Sequence, residues 1–246
     1  MNTSSIAFIA LALIAGFAGG FLLANKLNSS EIASLRSQAS QQPTGNSNQS
    51  ANLSDATISS DELKTKIAEA DRNPNNLTYQ KNLGVSLYRY ASMKQDNDLL
   101  AESIRILTRA NSLDAKDFDV LVVLGNAHFD VAFYKKDASE FQSARDLYTK
   151  ALEQKPGDAD IRTDFGLTYF LQEPPAYDKA VAELQQVVAA NPKQDRAMQF
   201  LVQIYVKQGK LPEAEKTLAK IIEINPTNPA ITDLRSQVAA AKSGGQ

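Results

Sequence analysis

Residues 195–228 read DRAMQFLVQIYVKQGKLPEAEKTLAKIIEINPTN, and this stretch decides the fold of the chain. Its apolar residues recur three and four positions apart, at Met198, Leu201, Val202, Tyr205 and Val206 and again at Ala214, Leu218, Ile221 and Ile222. Such spacing is the period of a helix with one buried face, so it predicts two amphipathic helices. Gly209 allows a tight turn between them, and Pro226 ends the second helix because the residue before a proline avoids helical angles. We therefore predict a helical hairpin of 34 residues.

The same pattern recurs three times upstream of this hairpin. The matching pairs in the predicted first helices are Leu83/Gly84, Leu124/Gly125, Phe165/Gly166 and Leu201/Val202, at steps of 41, 41 and 36 residues. A glycine inside a helix costs about 1 kcal/mol relative to alanine, and close crossing of a neighbouring helix can offset that cost. Small residues also recur in the second helices. The predicted helix-packing residues are Gly84, Gly125, Gly166, Ala144, Ala180 and Ala214.

This arrangement resembles the tetratricopeptide repeat (TPR), a family with a 34-residue period and the pattern W-x2-L-G-x2-Y…A-x3-F…P. The pattern positions are filled here by Leu201, Tyr205, Ala214, Leu218 and Pro226, whereas Met198 and Val202 replace the usual Trp and Gly. The resemblance implies an all-α fold, a solenoid in which helix–turn–helix repeats form a right-handed superhelix. We expect about ten antiparallel helices between Ser60 and Lys242.

The predicted repeat domain covers residues 58–246. It divides into a half repeat at 58–76, repeats at 77–117, 118–158, 159–194 and 195–228, and a C-terminal capping helix at 229–242. Ser59 and Glu62 form a capping box that marks the first helix start. Repeats with a step of 41 exceed the family period by nearly two helical turns. We expect one extra turn in each arm of the hairpin, and a longer loop is the alternative.

Residues 6–24 form a run of nineteen residues without a charge, IAFIALALIAGFAGGFLLA. As a helix it would span roughly 28 Å, close to the hydrocarbon thickness of a bilayer. We assign residues 1–36 to a transmembrane anchor with a juxtamembrane helix, and a cleaved signal peptide is the alternative. Small residues that could let two such helices dimerise are Ala12, Gly16, Gly20 and Ala24. The ordinary abundance of Gly and Ala in membrane spans is the alternative explanation of this stripe.

Residues 37–57 contain one charge, Asp55, and no aromatic side chain, so we predict a flexible polar linker. Lys26 and Arg36 follow the span and no basic residue precedes it, which favours a cytoplasmic repeat domain by the positive-inside rule. Long domains translocate largely regardless of charge, however, and the bacterial members of the family that carry one span favour the outer side. We predict a single-pass protein of the bacterial cell membrane with an extracytoplasmic, periplasmic repeat domain.

The composition excludes several kinds of site. Net charge is −2 without a basic block, so nucleic acid is not an expected partner. The absence of cysteine removes disulfides, thiolate metal sites and cysteine nucleophiles. His128 is the single histidine, and its register matches Leu87, Tyr169 and Tyr205, which predicts a packing role. No phosphate-binding or nucleophile motif occurs. We expect no metal, no cofactor and no enzymatic activity.

The family resemblance implies that the first helices line a concave groove for a partner. Carried onto this chain, the predicted groove residues are Lys81, Tyr88, Asn126, Phe129, Thr163, Phe170, Gln199 and Gln203. One TPR subclass grips a peptide carboxylate through Lys and Asn in its first repeat. Here Lys81 is followed by Val85, and Asp160 and Asp164 stand where basic residues are needed, so this binding mode is excluded.

The function that the resemblance implies is that of a membrane-anchored scaffold, which binds a protein or peptide in the concave groove. Similar bacterial architectures belong to chaperone-like subunits and to assembly factors, for example those for c-type cytochromes. A structural oligomeriser of a membrane complex is one alternative, supported by the small-residue stripe. An enzyme with an unrecognised site is another, which a cluster of polar groups with shifted pKa values in one cleft would support.

Overall fold

The computed structural model describes residues 59–244, which form ten α-helices and contain no strand. In chain order the helices are α1 Ser60–Arg72, α2 Leu77–Lys94, α3 Asn97–Leu113, α4 Phe118–Lys135, α5 Ala138–Gln154, α6 Ala159–Leu171, α7 Tyr177–Ala190, α8 Asp195–Lys207, α9 Leu211–Ile224 and α10 Ile231–Gly244. This confirms the predicted all-helical repeat domain. The predicted anchor, its small-residue stripe and the linker at 37–57 lie outside the described residues. Between residues 59 and 244, no helix is long and apolar enough to cross a bilayer.

Polar side chains in the turns start most of the helices. Ser59 Oγ accepts a hydrogen bond from the backbone N–H of Glu62, the predicted cap of α1. The side chains of Asn76, Asp96, Asp117, Asp137 and Asp158 cap α2 to α6 in the same way. Each cap satisfies a backbone donor that the helix itself leaves unpaired, which stabilises a helix by about 1 kcal/mol. Short turns with Asp or Asn therefore set where the hairpin arms begin.

The two hairpins with the 41-residue step have longer arms than the others. Helices α2 and α4 have 18 residues and α3 and α5 have 17, against 13 for α6 and α8 and 14 for α7 and α9. About one helical turn is added to each arm, as predicted, and the extra residues do not form a longer loop. The long hairpins turn through Gln95 and Lys136, both left-handed at φ 54°.

The hairpins stack so that first helices contact first helices. Helix α2 contacts α4, α4 contacts α6, and α6 contacts α8, whereas the second helices pack mainly against the first helix on either side. Where neighbouring elements of a solenoid approach more closely, that side lies on the inside of its curvature. We call the exposed surface of α2, α4, α6 and α8 the inner face. The right-handed sense of the superhelix stays a prediction.

Small residues lie where the two arms of a hairpin cross. A Cβ added to Gly84 would stand 2.7 Å from Leu107 Cγ, and one added to Gly125 would stand 2.7 Å from Tyr148 Cε1. Gly166 is less crowded, with Glu183 Cβ at 3.2 Å. The alanines predicted to pack from the second helices are fully buried: Ala144, Ala180 and Ala214. Close packing of backbones thus fixes the geometry of the hairpins that carry the inner face.

Candidate partner-binding surface

Four of the eight predicted groove residues have buried side chains. Their exposed fractions are 6% for Tyr88, 5% for Phe129, 0% for Thr163 and 8% for Phe170. The Phe129 ring packs edge-on against Phe141 at a centroid distance of 5.6 Å, and the Phe170 ring lies 6.1 Å from that of Tyr177. In this conformation the rings therefore contact the protein's own core. Contact between these rings and a partner stays a prediction.

The other two predicted residues in the first half of the groove are held by internal polar contacts. Lys81 Nζ donates to both carboxylate oxygens of Asp117 at 2.9 Å and to Asp119 Oδ2 at 2.8 Å. Asn126 Oδ1 accepts from the Tyr148 hydroxyl at 2.8 Å. Lys81 links α2 to the start of α4, and Asn126 links α4 to α5. Both side chains hold the walls of the inner face in position.

Gln199 and Gln203 lie on the half-buried side of α8, one turn apart. Oε1 of Gln203 is buried and makes no hydrogen bond within the described protein. Arg196, one turn before Gln199, pairs with Asp164 of α6 but leaves its Nε–H without an acceptor. One donor, Arg196 Nε–H, and one acceptor, Gln203 Oε1, are thus unpaired along the same side of α8, in the part of the inner face that belongs to the last repeat.

Family models match the helical domain in two segments. Residues 59–175 match the model described as plant-specific mitochondrial import receptor subunit TOM20, and residues 176–238 match a tetratricopeptide-repeat model. The helical domain has the tetratricopeptide-repeat fold. The comparison with curated proteins gave no match.

Solved structures support the same fold for the repeat domain. A crystal structure of the MamA protein is 24% identical and aligns over 67% of this chain and 81% of its own, with a TM-score of 0.54. A tetratricopeptide repeat protein of Parabacteroides merdae ATCC 43184 is 19% identical over 74% of this chain and 65% of its own, with a TM-score of 0.57. MamA of Desulfovibrio magneticus RS-1 is 15% identical over 69% and 86%, with a TM-score of 0.55. At these identities the likeness concerns the fold alone.

The repeat domain buries a polar cluster beneath the inner face that the sequence reading missed. Asp130 Oδ2 accepts hydrogen bonds from the Tyr88 hydroxyl at 3.1 Å and the Ser92 hydroxyl at 3.0 Å. Burial raises the pKa of Asp130 from 3.8 to about 6, the two hydroxyls oppose that rise, and the charge of Asp164 adds to it. Burial and the charge of Asp130 also raise the pKa of Tyr88 well above its usual value.

The ion pair between Asp164 and Arg196 extends this cluster towards the last repeat. About a quarter of each side chain is exposed. Burial alone would lower the pKa of Arg196, but the charge and hydrogen bond of Asp164 raise it overall, so the guanidinium stays charged. In addition to burial, the negative charge of Asp164 raises the pKa values of Tyr88, Asp130 and Tyr148. With Arg196, these groups come from five helices that lie within electrostatic reach of one another. The cluster therefore couples successive repeats.

One signal in the sequence could have revealed this cluster. Asp130 puts a carboxylate into a largely apolar helix, four residues after Asn126 and on the same side of α4. Asp164 and Arg196 lie in different repeats, and no pattern within either helix shows that they meet.

His128 packs at the interface of α4 and α5, where Nδ1 contacts the Glu140 carboxylate. Its side chain is 17% exposed, which agrees with the predicted packing role. Among residues 59–244, no group of three or more His, Cys, Asp or Glu side chains is placed to hold a metal ion. The expectation that the chain is not an enzyme stays a prediction.

Proposed function

We propose that the protein is a scaffold whose inner face binds a segment of another protein. The observation that carries this proposal is the pair of unpaired buried groups on α8, Arg196 Nε and Gln203 Oε1. A buried polar group without a partner costs about 1–3 kcal/mol, and a ligand that supplies the missing hydrogen bond recovers that energy. Both atoms are buried, so a peptide reaches them only after the two side chains turn outward. Its backbone then offers a carbonyl oxygen for Arg196 and an amide N–H for Gln203. Gln199 lies between them and adds a third polar group.

The charged groups of the inner face favour a partner that is recognised by shape and backbone. Lys81 is paired with Asp117 and Asp119, and Arg196 with Asp164. Since both cations have internal counter-ions, neither is free to attract an acidic tail over a long range. We expect partner binding to depend weakly on salt concentration.

The test uses a variant that alters binding without weakening the fold. Gln203→Leu removes the unpaired acceptor, so the free energy of unfolding should stay the same or rise. Partner capture from detergent-solubilised membranes should nevertheless fall at least tenfold, about 1.4 kcal/mol. Gln154→Leu, an exposed glutamine of α5, is the matched control and should capture normally. Unchanged capture by Gln203→Leu, with loss from substitutions on second helices, would place the partner on the outer surface.

We further propose that residues 6–24 anchor the chain in a bacterial cell membrane, with the repeat domain on the extracytoplasmic, periplasmic side. The support is the uncharged run itself and the architecture of bacterial anchored repeat proteins. Carbonate extraction should leave the chain in the membrane fraction. Protease added to intact spheroplasts should digest the repeat domain, and complete protection would mean that the assignment of the side is wrong.

The stripe of Ala12, Gly16, Gly20 and Ala24 supports a proposed homodimer through the membrane segment. Replacing Gly16 and Gly20 together by leucine should abolish dimers seen by crosslinking in membranes. The same replacement of Phe17 and Phe21 is the control, because these positions lie off the stripe.

We also propose that such a scaffold serves in the assembly of other proteins, for example c-type cytochromes. The identity of the proteins captured by the inner face would test this role.

A further inference from the structure

A groove of about 560 Å³ lies at the N-terminal end of the repeat domain, between α1 and α2. The apolar side chains at its floor, Leu83 and Leu87, are 9% and 1% exposed. The groove is also lined by Leu63 and Lys66 of α1 and by Tyr79, Asn82, Ser86 and Tyr90 of α2. The α2 residues are spaced three or four apart, so they follow one side of the helix through three turns. The groove is thus a trough parallel to α2, distinct from the polar groups of α8.

A comparison of equivalent positions in α2 and α4 indicates which kind of element covers this surface in the other repeats. The 41-residue step maps Tyr79, Asn82, Ser86 and Tyr90 of α2 onto Val120, Val123, Ala127 and Val131 of α4. In α4 that stripe is covered by the preceding hairpin, because Val123, Ala127 and Val131 pack in one cluster with Tyr88 and Ala91 of α2 and Leu100 of α3.

In α2 the same stripe has α1 on one side. Helix α1 takes the place of a second helix, and no first helix precedes it among residues 59–244. The trough is therefore the next position of the first-helix stack. Its geometry already accepts a helix in every later repeat.

The chemistry of the trough differs from that of the permanent contacts. Asn82 and Ser86 stand where α4 has Val123 and Ala127, so one wall presents an amide and a hydroxyl beside the leucine floor. On the other side, the Lys66 ammonium forms no ion pair with any described residue. A ligand with an apolar stripe, polar flanks and an acidic group near Lys66 complements all three features.

We propose that this end groove binds an amphipathic helix of a partner protein, about three turns long, with an acidic residue facing Lys66. Tyr79 to Tyr90 covers about 16 Å at 1.5 Å per residue, which sets the length of helix that fits. The bound helix continues the stack of first helices by one member, with its i, i+3, i+4 and i+7 residues on the leucine floor. This second docking surface is independent of the inner face.

The test uses the absence of cysteine from the chain. In the full chain, Ser86→Cys places one thiol in the groove, and Lys150→Cys places one on the exposed surface of α5, away from the groove. The probe is a fluorescein-labelled, alanine-based peptide of 14 residues with Leu at its i, i+3, i+4 and i+7 positions and one Glu. A scrambled peptide of the same composition is the control for helix pattern. Fluorescence anisotropy measures binding, and circular dichroism checks that each variant is folded.

Before alkylation, both variants should bind the patterned peptide saturably and the scrambled peptide at least tenfold more weakly. After alkylation with a bulky maleimide, Ser86→Cys should lose binding at least tenfold, whereas Lys150→Cys should keep it. Lys66→Glu should lower the affinity for the Glu-containing peptide about threefold, which corresponds to the loss of an exposed ion pair of about 0.6 kcal/mol. A peptide with Lys in place of Glu should then bind this variant better than the original chain.

Three results would overturn the proposal. The first is equal binding of the patterned and scrambled peptides, and the second is an equal effect of alkylation at both positions. The third is slow alkylation of Ser86→Cys in the unliganded chain, because a groove that is already filled has no place for a partner. If that protection grows with protein concentration, a second copy fills the groove, and if it does not, the same chain does.

Discussion

Asp130 shows at the scale of one residue how the fold tolerates a polar group in its core. The carboxyl is 8% exposed and bonded to two hydroxyls, and no cation contacts it. The charged form is therefore poorly solvated, which is the reason that its pKa lies near 6. The folded protein therefore binds a proton at Asp130 more readily than the unfolded chain does.

The first prediction concerns the pH dependence that follows. Because the folded state raises the pKa from 3.8 to about 6, protonated Asp130 favours folding at pH 4, and that contribution is lost as the pH rises through 6. Asp130→Asn keeps an acceptor for Tyr88 and Ser92 but carries no charge. Its free energy of unfolding should match that of the original chain at pH 4 and exceed it by on the order of 2 kcal/mol at pH 8.

Urea denaturation between pH 4 and 8 measures this difference. Glu153→Gln, which changes an exposed carboxyl of α5, serves as the control and should show almost none. A difference for Asp130→Asn that is constant over the whole pH range would contradict a raised pKa.

The second prediction separates two glycines that look alike in sequence. Gly125→Ala puts a Cβ 2.7 Å from the ring of Tyr148, which is 1% exposed and cannot move aside. We expect a loss of about 1–3 kcal/mol in spite of the better helix propensity of alanine. At Gly166 the nearest atom is 3.2 Å away, so the propensity gain of about 1 kcal/mol should roughly cancel the crowding. Urea midpoints compare the two variants, and equal effects would show that helix crossing does not explain Gly125.

At the scale of an element, the two helices of each long hairpin are joined by a turn whose conformation is unfavourable for the residue that adopts it. Gln95 and Lys136 stand at equivalent places, 41 residues apart, and both adopt φ 54°. This left-handed conformation costs a residue with a Cβ about 1 kcal/mol more than glycine. Glycine would therefore adopt the conformation of these two turn positions at a lower cost than Gln95 and Lys136 do.

The third prediction follows from that turn. Lys136→Gly should raise the free energy of unfolding by about 0.5 kcal/mol, since relief of strain exceeds the entropy that glycine adds to the unfolded chain. Lys135→Gly, one residue earlier and inside α4, should lower it by up to about 1 kcal/mol. Thermal melting at two protein concentrations measures both variants. Destabilisation by both would mean that the turn is not strained.

At the scale of the whole repeat domain, the extensive contacts of each described hairpin are with its neighbours in the stack. Stability in such an array spreads from repeat to repeat, and the terminal helices protect the ends. Leu234 of α10 and Leu121 of α4 are both fully buried, one at the end of the array and one near its middle. Removing either side chain leaves a cavity that costs about 2–5 kcal/mol.

The fourth prediction is that the same truncation acts differently at these two places. Leu234→Ala should raise amide hydrogen exchange mainly in α9 and α10, because the end can open alone. Leu121→Ala should raise it in α2 to α7, since the central repeats support both sides. Exchange followed by mass spectrometry resolves the two patterns. Uniform exchange in both variants would show that the domain unfolds as one cooperative unit.

The sequence by itself determined the helices, the hairpins and their crossings. Apolar spacing, Asp and Asn at the turns and glycine at the crossings are local signals, readable from a few neighbouring residues. The lengthened arms of two hairpins followed from the 41-residue step for the same reason. The resemblance to the family then fixed which helices line the inner face, because the repeats place equal positions on equal sides.

Only the tertiary structure decided which of those inner positions are open. Tyr88, Phe129 and Phe170 were predicted to line the inner face together with Gln199 and Gln203, yet the rings are buried, because neighbouring hairpins close over a large apolar side chain. The meeting of Asp164 with Arg196 and the trough beside α2 also depend on residues more than ten positions apart. Burial and pairing arise from how elements pack, so a pattern within one helix cannot contain them.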